Sequence, residues 1–236
     1  MYQSSRILAL IPARGGSKRL PRKNLLDFDG LPLIAHTIAA AHQSKIMDRI
    51  VVSTDDAEIA ETARQFGAEV PFMRPAELAT DTAGFDATIL HALRTLDAQS
   101  NYDVLVVLQP TSVLRTADDI LTAVQLLHHQ SADGVVTVTE CEHHPLWSGP
   151  LPANGCMQHF IKPEAMRRSQ DLEKHYRLNG AVYCFRIAHI MKNQGVKYDS
   201  GVYASIMSKY NSIDIDDQFD FDVAVAIRQK TQKNAV

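Results

Sequence analysis

The stretch "LALIPARGGSKRLPRKN", residues 8–24, decides how the rest of the chain is read. Leu8, Ala9, Leu10 and Ile11 form an apolar run that stops at Pro12, as a short buried strand would. A loop follows with Gly15 and Gly16 and five cations: Arg14, Lys18, Arg19, Arg22 and Lys23. Glycine permits close backbone approach and positive φ. Backbone N–H groups in such a loop can hold an anion. Arginine adds bidentate donors shaped for phosphate oxygens. A polyphosphate is the ligand this loop suits. It has neither the Walker A pattern nor the G-x-G-x-x-G dinucleotide pattern. Taken alone, it also reads as a solvated surface turn.

Outward from that loop, strand and helix signals alternate. "RILALIP" (6–12), "RIVVST" (49–54), "DVLVVLQ" (103–109), "GVVTVTE" (134–140) and "GAVYCFR" (180–186) read as strands, and "AEVPFM" (68–73) as a weaker one. Residues 31–45, 85–99 and 116–130 carry helical periodicity. Residues 55–67 open on an Asp cap and close on Gly67. A short helix over 187–194, a strand near 202–208 and a last helix after "SIDIDDQ" complete the order, with 230–236 read as a frayed tail. Near-continuous apolar strands separated by helices predict an α/β fold with a mostly parallel sheet covered on both faces. Residues 141–178 interrupt the pattern with His, Pro and charge, and read as a small excursion within one 236-residue domain.

The totals narrow the function. Net charge is −3, so the loop's positive charge is local, which argues against a general nucleic-acid binder. No apolar run reaches the roughly 18 residues of a membrane span. The start "MYQSSRILAL" lacks a signal-peptide layout. Cys141, Cys156 and Cys184 are odd in number and lack C-x-x-C spacing, which fits a reducing cytoplasm better than a zinc site or disulfide framework.

In open α/β sheets, ligands sit beyond the carboxyl ends of the strands. That rule collects residues 13–24, 74–84, "QPTS" (109–112) and the acidic 214–216 at one edge. Asp214 and Asp216 are spaced i, i+2, so an extended segment would put both carboxylates on one face. Beside a polyphosphate they would suit Mg²⁺, a hard cation; helix capping is the other reading. Asp217, Asp220 and Asp222 read as first-turn acids that complement a helix dipole. His143 and His144 are adjacent and lack a third ligand at metal spacing, so they read as packing.

Together "IPARGGSKRLPRKN", "RPAELATDTA", "LQPTSVLR", "YRLNGAVY" and "SIDIDDQFD" resemble the acylneuraminate cytidylyltransferases. These are the CMP-sialic acid synthetases and their relatives for other nine-carbon 2-keto sugar acids. The likeness runs from about residue 6 to 225, with the motifs in order. It implies a Rossmann-like nucleotidyltransferase fold and a homodimer, with residues 141–178 as a dimerisation and sugar-side subdomain. The implied reaction joins CTP to a nonulosonic acid through its anomeric hydroxyl and releases pyrophosphate.

The resemblance also implies roles. Arg14, Lys23 and Arg168 match catalytic positions. Ala13, Arg14, Gly15, Gly16, Ser17, Lys23, Asn24, Arg74, Thr82, Ala83 and Gln109 match the nucleotide side. Gln109, Arg168, Gln170, Arg177, Asn179 and Tyr183 match the sugar side, with Arg177 a partner for the sugar carboxylate. Asp214 and Asp216 match the Mg²⁺ carboxylates. Two departures stand out. Val113 occupies a position where many relatives have Pro, and Met166 and Arg167 stand where some carry further basic residues. Asn24 separates the loop from that of Kdo-specific relatives, which tend to have Pro there. N-acetylneuraminic acid is the first expected acceptor, then legionaminic, then pseudaminic acid. A CTP-binding regulatory module is the non-enzymatic alternative.

Overall fold

Strand β1 (Ile7–Pro12) lies inside the sheet, with β4 (Arg49–Ser53) on one side and β5 (Val104–Val107) on the other, both parallel to it. This explains its unbroken apolar sequence: Ile7, Ala9 and Ile11 point to one face and Leu8 and Leu10 to the other, and all are fully buried. The computed structural model describes residues 2–158, 160, 161, 166, 168 and 171–233. Six strands form the main sheet in the order β4-β1-β5-β7-β6-β8, where β6 is Gly134–Glu140, β7 is Tyr176–Arg186 and β8 is Val202–Ile206. β7 is antiparallel to both β5 and β6, whereas β6 and β8 are parallel. The expected sheet is therefore mostly parallel, with one reversed strand. Residues 68–73 add only isolated bridges to the β4 edge, at Glu69 and Met73.

Helices cover both faces. Ile34 and Ile38 of α1 (Leu33–Gln43), Ile59 of α2 (Ala57–Gln65) and Ile120 and Leu127 of α5 (Ala117–His129) pack on one side. Ile89 and Leu93 of α3 (Phe85–Thr95) and Ile187 and Ile190 of α6 (Ile187–Asn193) pack on the other. Asp56 caps α2 by accepting from Glu58 N and Ile59 N, and Thr116 and Asp119 form a capping box on α5. The helix expected over 85–99 breaks at Asp97, in left-handed backbone, before α4 (Ala98–Asn101).

Three boundaries differ from expectation. Asp29 and Gly30, both at positive φ, turn a small hairpin of β2 (Asp27–Phe28) and β3 (Leu31–Pro32), so α1 begins after Pro32. β7 begins at Tyr176 rather than 180, because Tyr176, Arg177 and Leu178 continue the ladder with β6; the excursion gives up its last residues to the sheet. α7 (Gln218–Lys233) runs into the segment expected to fray. Among the described residues, no helix is long and apolar enough to cross a membrane.

Candidate functional site

The four expected segments do converge. Pro12, Arg14, Ser17, Lys23 and Asn24 face Arg74, Ala83, Phe85 and Thr88 and then Gln109, Pro110 and Thr111 around a cleft of about 280 Å³. It lies beyond the carboxyl ends of β1 and β5, as the strand-end rule predicts. A neighbouring cavity of about 380 Å³ shares Phe85 and Gln109 and continues to Tyr183, Val196 and Tyr198.

Of the two freedoms glycine offers the opening loop, the close approach is used at Gly15 and the positive φ at neither glycine. Neither Gly15 nor Gly16 has positive φ; the left-handed residue is Arg22. Gly15 is required by crowding, since a Cβ there would lie 2.8 Å from Asp56 Oδ2. Its N–H donates to Asp55 Oδ1 at 3.0 Å. A Cβ at Gly16 would meet nothing within 4 Å. Ala13 is buried and continues the sheet by donating to Ser53 O. Asn24 is buried and its Nδ2 donates to Arg14 O at 2.9 Å, which fixes the loop's curvature.

Every loop cation has a carboxylate partner. Arg14 and Lys18 meet Asp81 at 2.8 and 2.6 Å, and Arg19 and Lys23 meet Asp216 at 2.9 and 3.3 Å. Arg22 pairs with Glu58. Lys18 and Arg14 hold the Asp81 carboxyl below its ordinary range. Lys23 is the least exposed of the five, at 12%, and also donates to Ile215 O at 2.5 Å. Arg74 is buried against Ser53, to which its Nε and Nη2 donate; burial lowers its pKa to about 10, so it stays charged at neutral pH.

Residues 212–216 are irregular in backbone. Ile215 is fully buried, while Asp214 and Asp216 flank it half-exposed. Asp214 Oδ1 is buried without a hydrogen-bond partner. Burial is the main cause that raises its pKa, opposed by a Thr111 hydrogen bond and reinforced by the charge of Asp216. A buried, unpartnered carboxylate oxygen beside a second carboxylate fits a hard divalent cation. Of the three acids expected in the first turn of the last helix, Asp220 lies there, and it and Asp217 also make hydrogen bonds at the helix start. Asp220 Oδ2 accepts from Asp216 N and Asp217 N, and Asp217 Oδ1 accepts from Asp220 N. Asp222 accepts from Gln218.

The sugar-side expectations divide. Gln109 and Tyr183 face the shared cavity, and burial pushes the Tyr183 hydroxyl up to about 12, so it stays protonated as a donor. Asn179 does not line either cavity. It is buried, and its amide links Thr137, Ala181 N, Ser212 and Met207, which makes it a core hub at a bulge between β6 and β7. Arg177 forms a bidentate pair with Glu142 at 2.9 and 3.2 Å, so its guanidinium is already engaged by a carboxylate. Arg168 is exposed, pairs with Asp171 at 2.9 Å and lines neither cavity of this single chain. Thr82 is exposed, 3.3 Å from Thr80 through their hydroxyls, whereas Ala83 does line the cleft. Gln170 and Arg167 lie outside the described residues. His144 stacks edge-on against His175, with ring centroids 4.2 Å apart, in keeping with packing.

Sequence reading missed several residues. Asp81, in "ATDTA", neutralises Arg14 and Lys18. Phe85, Thr88 and Tyr198 line the cavities from positions that periodicity assigns to helix packing or loop. Arg115, the last residue of "LQPTSVLR", is buried, and its Nη1 donates to Gln109 O and Ala181 O, both at 3.1 Å. Its charge in an apolar register was the available signal. Val113, in the place of the common Pro, is simply core, packed with Leu20, Phe28, Leu33 and Ile215.

Residues 8–194 match the family model described as Cytidylyltransferase. A CMP-N,N'-diacetyllegionaminic acid synthase of Legionella pneumophila is 38% identical over 238 residues, covering 98% of this chain and 100% of that protein. An N-acylneuraminate cytidylyltransferase of Escherichia coli is 35% identical over 234 residues, covering 98% of this chain and 54% of that protein. Among solved structures, a CMP:2-keto-3-deoxy-manno-octonic acid synthetase complexed with CTP superposes with a TM-score of 0.72 at 16% identity, covering 96% of this chain and 100% of that one. That likeness concerns the fold alone.

Proposed function

This chain belongs to the cytidylyltransferase family, and from that premise we propose that it transfers CMP from CTP to the anomeric hydroxyl of a nine-carbon 2-keto sugar acid. The observation that carries the reading is the cleft in which Arg14, Lys23 and Arg74 face Gln109, with Asp214 and Asp216 at its side. The hydroxyl oxygen forms a bond to the α-phosphorus, the bond to the pyrophosphate oxygen breaks, and the hydroxyl proton is released.

Arg14 and Lys23 neutralise the triphosphate and the charge that builds on the leaving pyrophosphate, an electrostatic contribution rather than a covalent one. Asp214 and Asp216 would hold Mg²⁺, which supplies further charge neutralisation to the phosphates. Gln109 spans the two cavities, so its amide suits the junction between nucleotide and sugar. Arg177 acts on the sugar carboxylate only if Glu142 releases it, and Arg168 acts only if a second subunit brings it to the cleft. A homodimer is part of this proposal for that reason.

For the acceptor, the relative aligned over its whole length moves di-N-acetyllegionaminic acid to the head of the list, ahead of N-acetylneuraminic and pseudaminic acids. The test is pyrophosphate release from CTP and Mg²⁺ with legionaminic, N-acetylneuraminic, pseudaminic and Kdo acids in parallel. Turnover with a nine-carbon acid, abolished by Asp216→Ala, is expected. Turnover on Kdo alone would overturn the acceptor class. CTP binding without turnover on any of them would favour a regulatory module.

A further inference from the structure

Away from the catalytic carboxylates, three segments bring Asp133, His189 and Asp199 together, with one ligand atom from each within 4.8 Å of the others. Asp133 precedes β6, His189 lies on α6, and Asp199 lies just before β8. His189 is oriented by its surroundings. Its side chain is 6% exposed, its ring stacks on Phe185 at 6.0 Å, and its Nε2 lies 3.3 Å from Lys197 O.

A carbonyl oxygen only accepts, so Nε2 carries the hydrogen, and Nδ1 of the neutral ring is left as a bare lone pair. That lone pair faces Asp133 Oδ2 at 3.8 Å, beyond hydrogen-bond reach. Asp199 is aimed at the same place, its Oδ1 accepting from Gly201 N at 3.0 Å. Gly201 also leaves room for Asp133, since a Cβ there would lie 2.4 Å from Asp133 Oδ2. Among the described residues neither carboxylate has a Lys or Arg partner within ion-pair distance.

Two carboxylates and an imine nitrogen therefore converge, with the Gly201 N–H on Asp199 Oδ1 the hydrogen-bond donor found there among the described residues. We propose that Asp133, His189 Nδ1 and Asp199 bind a divalent transition-metal ion such as Zn²⁺. Bonds of about 2.0–2.2 Å in a tetrahedral site set ligand atoms roughly 3.3–3.5 Å apart, so small side-chain shifts complete the geometry. The Lys197 carbonyl supplies the outer hydrogen bond that metal-bound histidines ordinarily make. An imidazole among the donors selects Zn²⁺ over Mg²⁺.

The ion would tie the loop between α6 and β8 to the start of β6. That loop also carries Val196 and Tyr198 to the cavity beside Gln109. The role assigned to the ion is structural: it fixes the loop that walls the second cavity.

The test uses the full chain stripped of metal and titrated with Co²⁺ for its visible d–d band and with Zn²⁺ for thermal stability. Wild type is compared with Asp199→Asn, an exposed change that spares the core, with His189→Gln, and with Asp216→Asn. Expected are a saturable Co²⁺ band and a Zn²⁺-dependent rise in Tm of about 5 °C. Both should be lost in Asp199→Asn and His189→Gln and kept in Asp216→Asn. No band in wild type would overturn the proposal, because Asp133, His189 and Asp199 would then be close neighbours that hold no ion. A band lost in Asp216→Asn and kept in Asp199→Asn would overturn it too, by assigning the ion to the catalytic carboxylates.

Discussion

Lys23 Nζ lies 3.3 Å from Asp216 Oδ1, joining the first loop of the chain to the segment before its last helix. The contact brings together the two sequence features that carry the chemistry, the cationic loop and the acidic pair. It also shows the state in which the loop waits. Arg14, Lys18, Arg19, Arg22 and Lys23 are all paired with carboxylates, so a triphosphate competes for their charge with Asp81, Asp216 and Glu58.

Asp81 is the partner whose removal isolates that competition. It binds Arg14 and Lys18 together and is not one of the proposed metal carboxylates. Asp81→Asn keeps the shape and removes the competing charge. Exposed ion pairs are weak, so KM for CTP should fall by roughly two- to fivefold, with kcat little changed. Steady-state kinetics at low and high salt check this; a rise in KM would mean that Asp81 orders the loop for CTP instead.

Asp214 carries the pH dependence. Its carboxyl is raised in the folded protein, chiefly by burial, so between the ordinary value of 3.8 and its folded value the native state holds more protons than the unfolded one. Stability therefore falls as pH rises through that window, and ionised Asp214 is a cost at neutral pH in the absence of a cation. Asp214→Asn should raise the Tm of metal-free protein at pH 7, with a smaller gain at pH 4. It should also abolish the Mg²⁺-dependent increment. Calorimetry with and without Mg²⁺ reads both effects; an unchanged Mg²⁺ increment would remove Asp214 from the metal set.

Gly180 leaves room for the Gln109 amide by having no side chain. Its φ is +72°, and a Cβ would lie 2.9 Å from Gln109 Oε1. Gly180→Ala meets both penalties. The left-handed backbone alone costs about 1–2 kcal/mol, seen as a lower denaturation midpoint. Displacement of the Gln109 amide should lower kcat/KM for the sugar about tenfold or more, since positioning errors are costly. A variant that loses stability but keeps wild-type kcat/KM would show that Gln109 does not depend on the close approach.

Much of this was legible in the sequence, for identifiable reasons. Burial on both faces wrote β1, β4 and β5 as apolar runs, and Asp56 and Thr116 marked helix starts through capping chemistry that is local. The strand-end rule gathered the four cleft segments. What stayed hidden depends on partners distant in the chain. The reversed direction of β7 leaves no trace in an apolar run. Gly15 turned out to be dictated by Asp56 rather than by its own φ, and the carboxylate partners of the loop cations come from residues 58, 81 and 216. Arg177 and Asn179, two apart, were both read on the sugar side; regular alternation would put them on one face, but the break in register between β6 and β7 leaves Asn179 in the core and Arg177 paired with Glu142.

That divergence gives a separable pair of variants. Asn179 satisfies Thr137 Oγ1, Ala181 N and Ser212 Oγ inside the core, so Asn179→Ala should cost about 1–3 kcal/mol through the partners left unpaired. Its KM for the sugar should stay within about twofold of wild type, because the residue touches neither cavity. Glu142→Gln does the reverse. It frees the Arg177 guanidinium from a half-exposed pair, with little effect on folding. If Arg177 engages the sugar carboxylate during turnover, the freed side chain should lower the sugar KM by roughly two- to fivefold while KM for CTP holds. Chemical denaturation and sugar-dependent kinetics on both variants check the assignment. A sugar KM that rises in Asn179→Ala at temperatures where it is fully folded, and does not move in Glu142→Gln, would exchange the roles of the two residues.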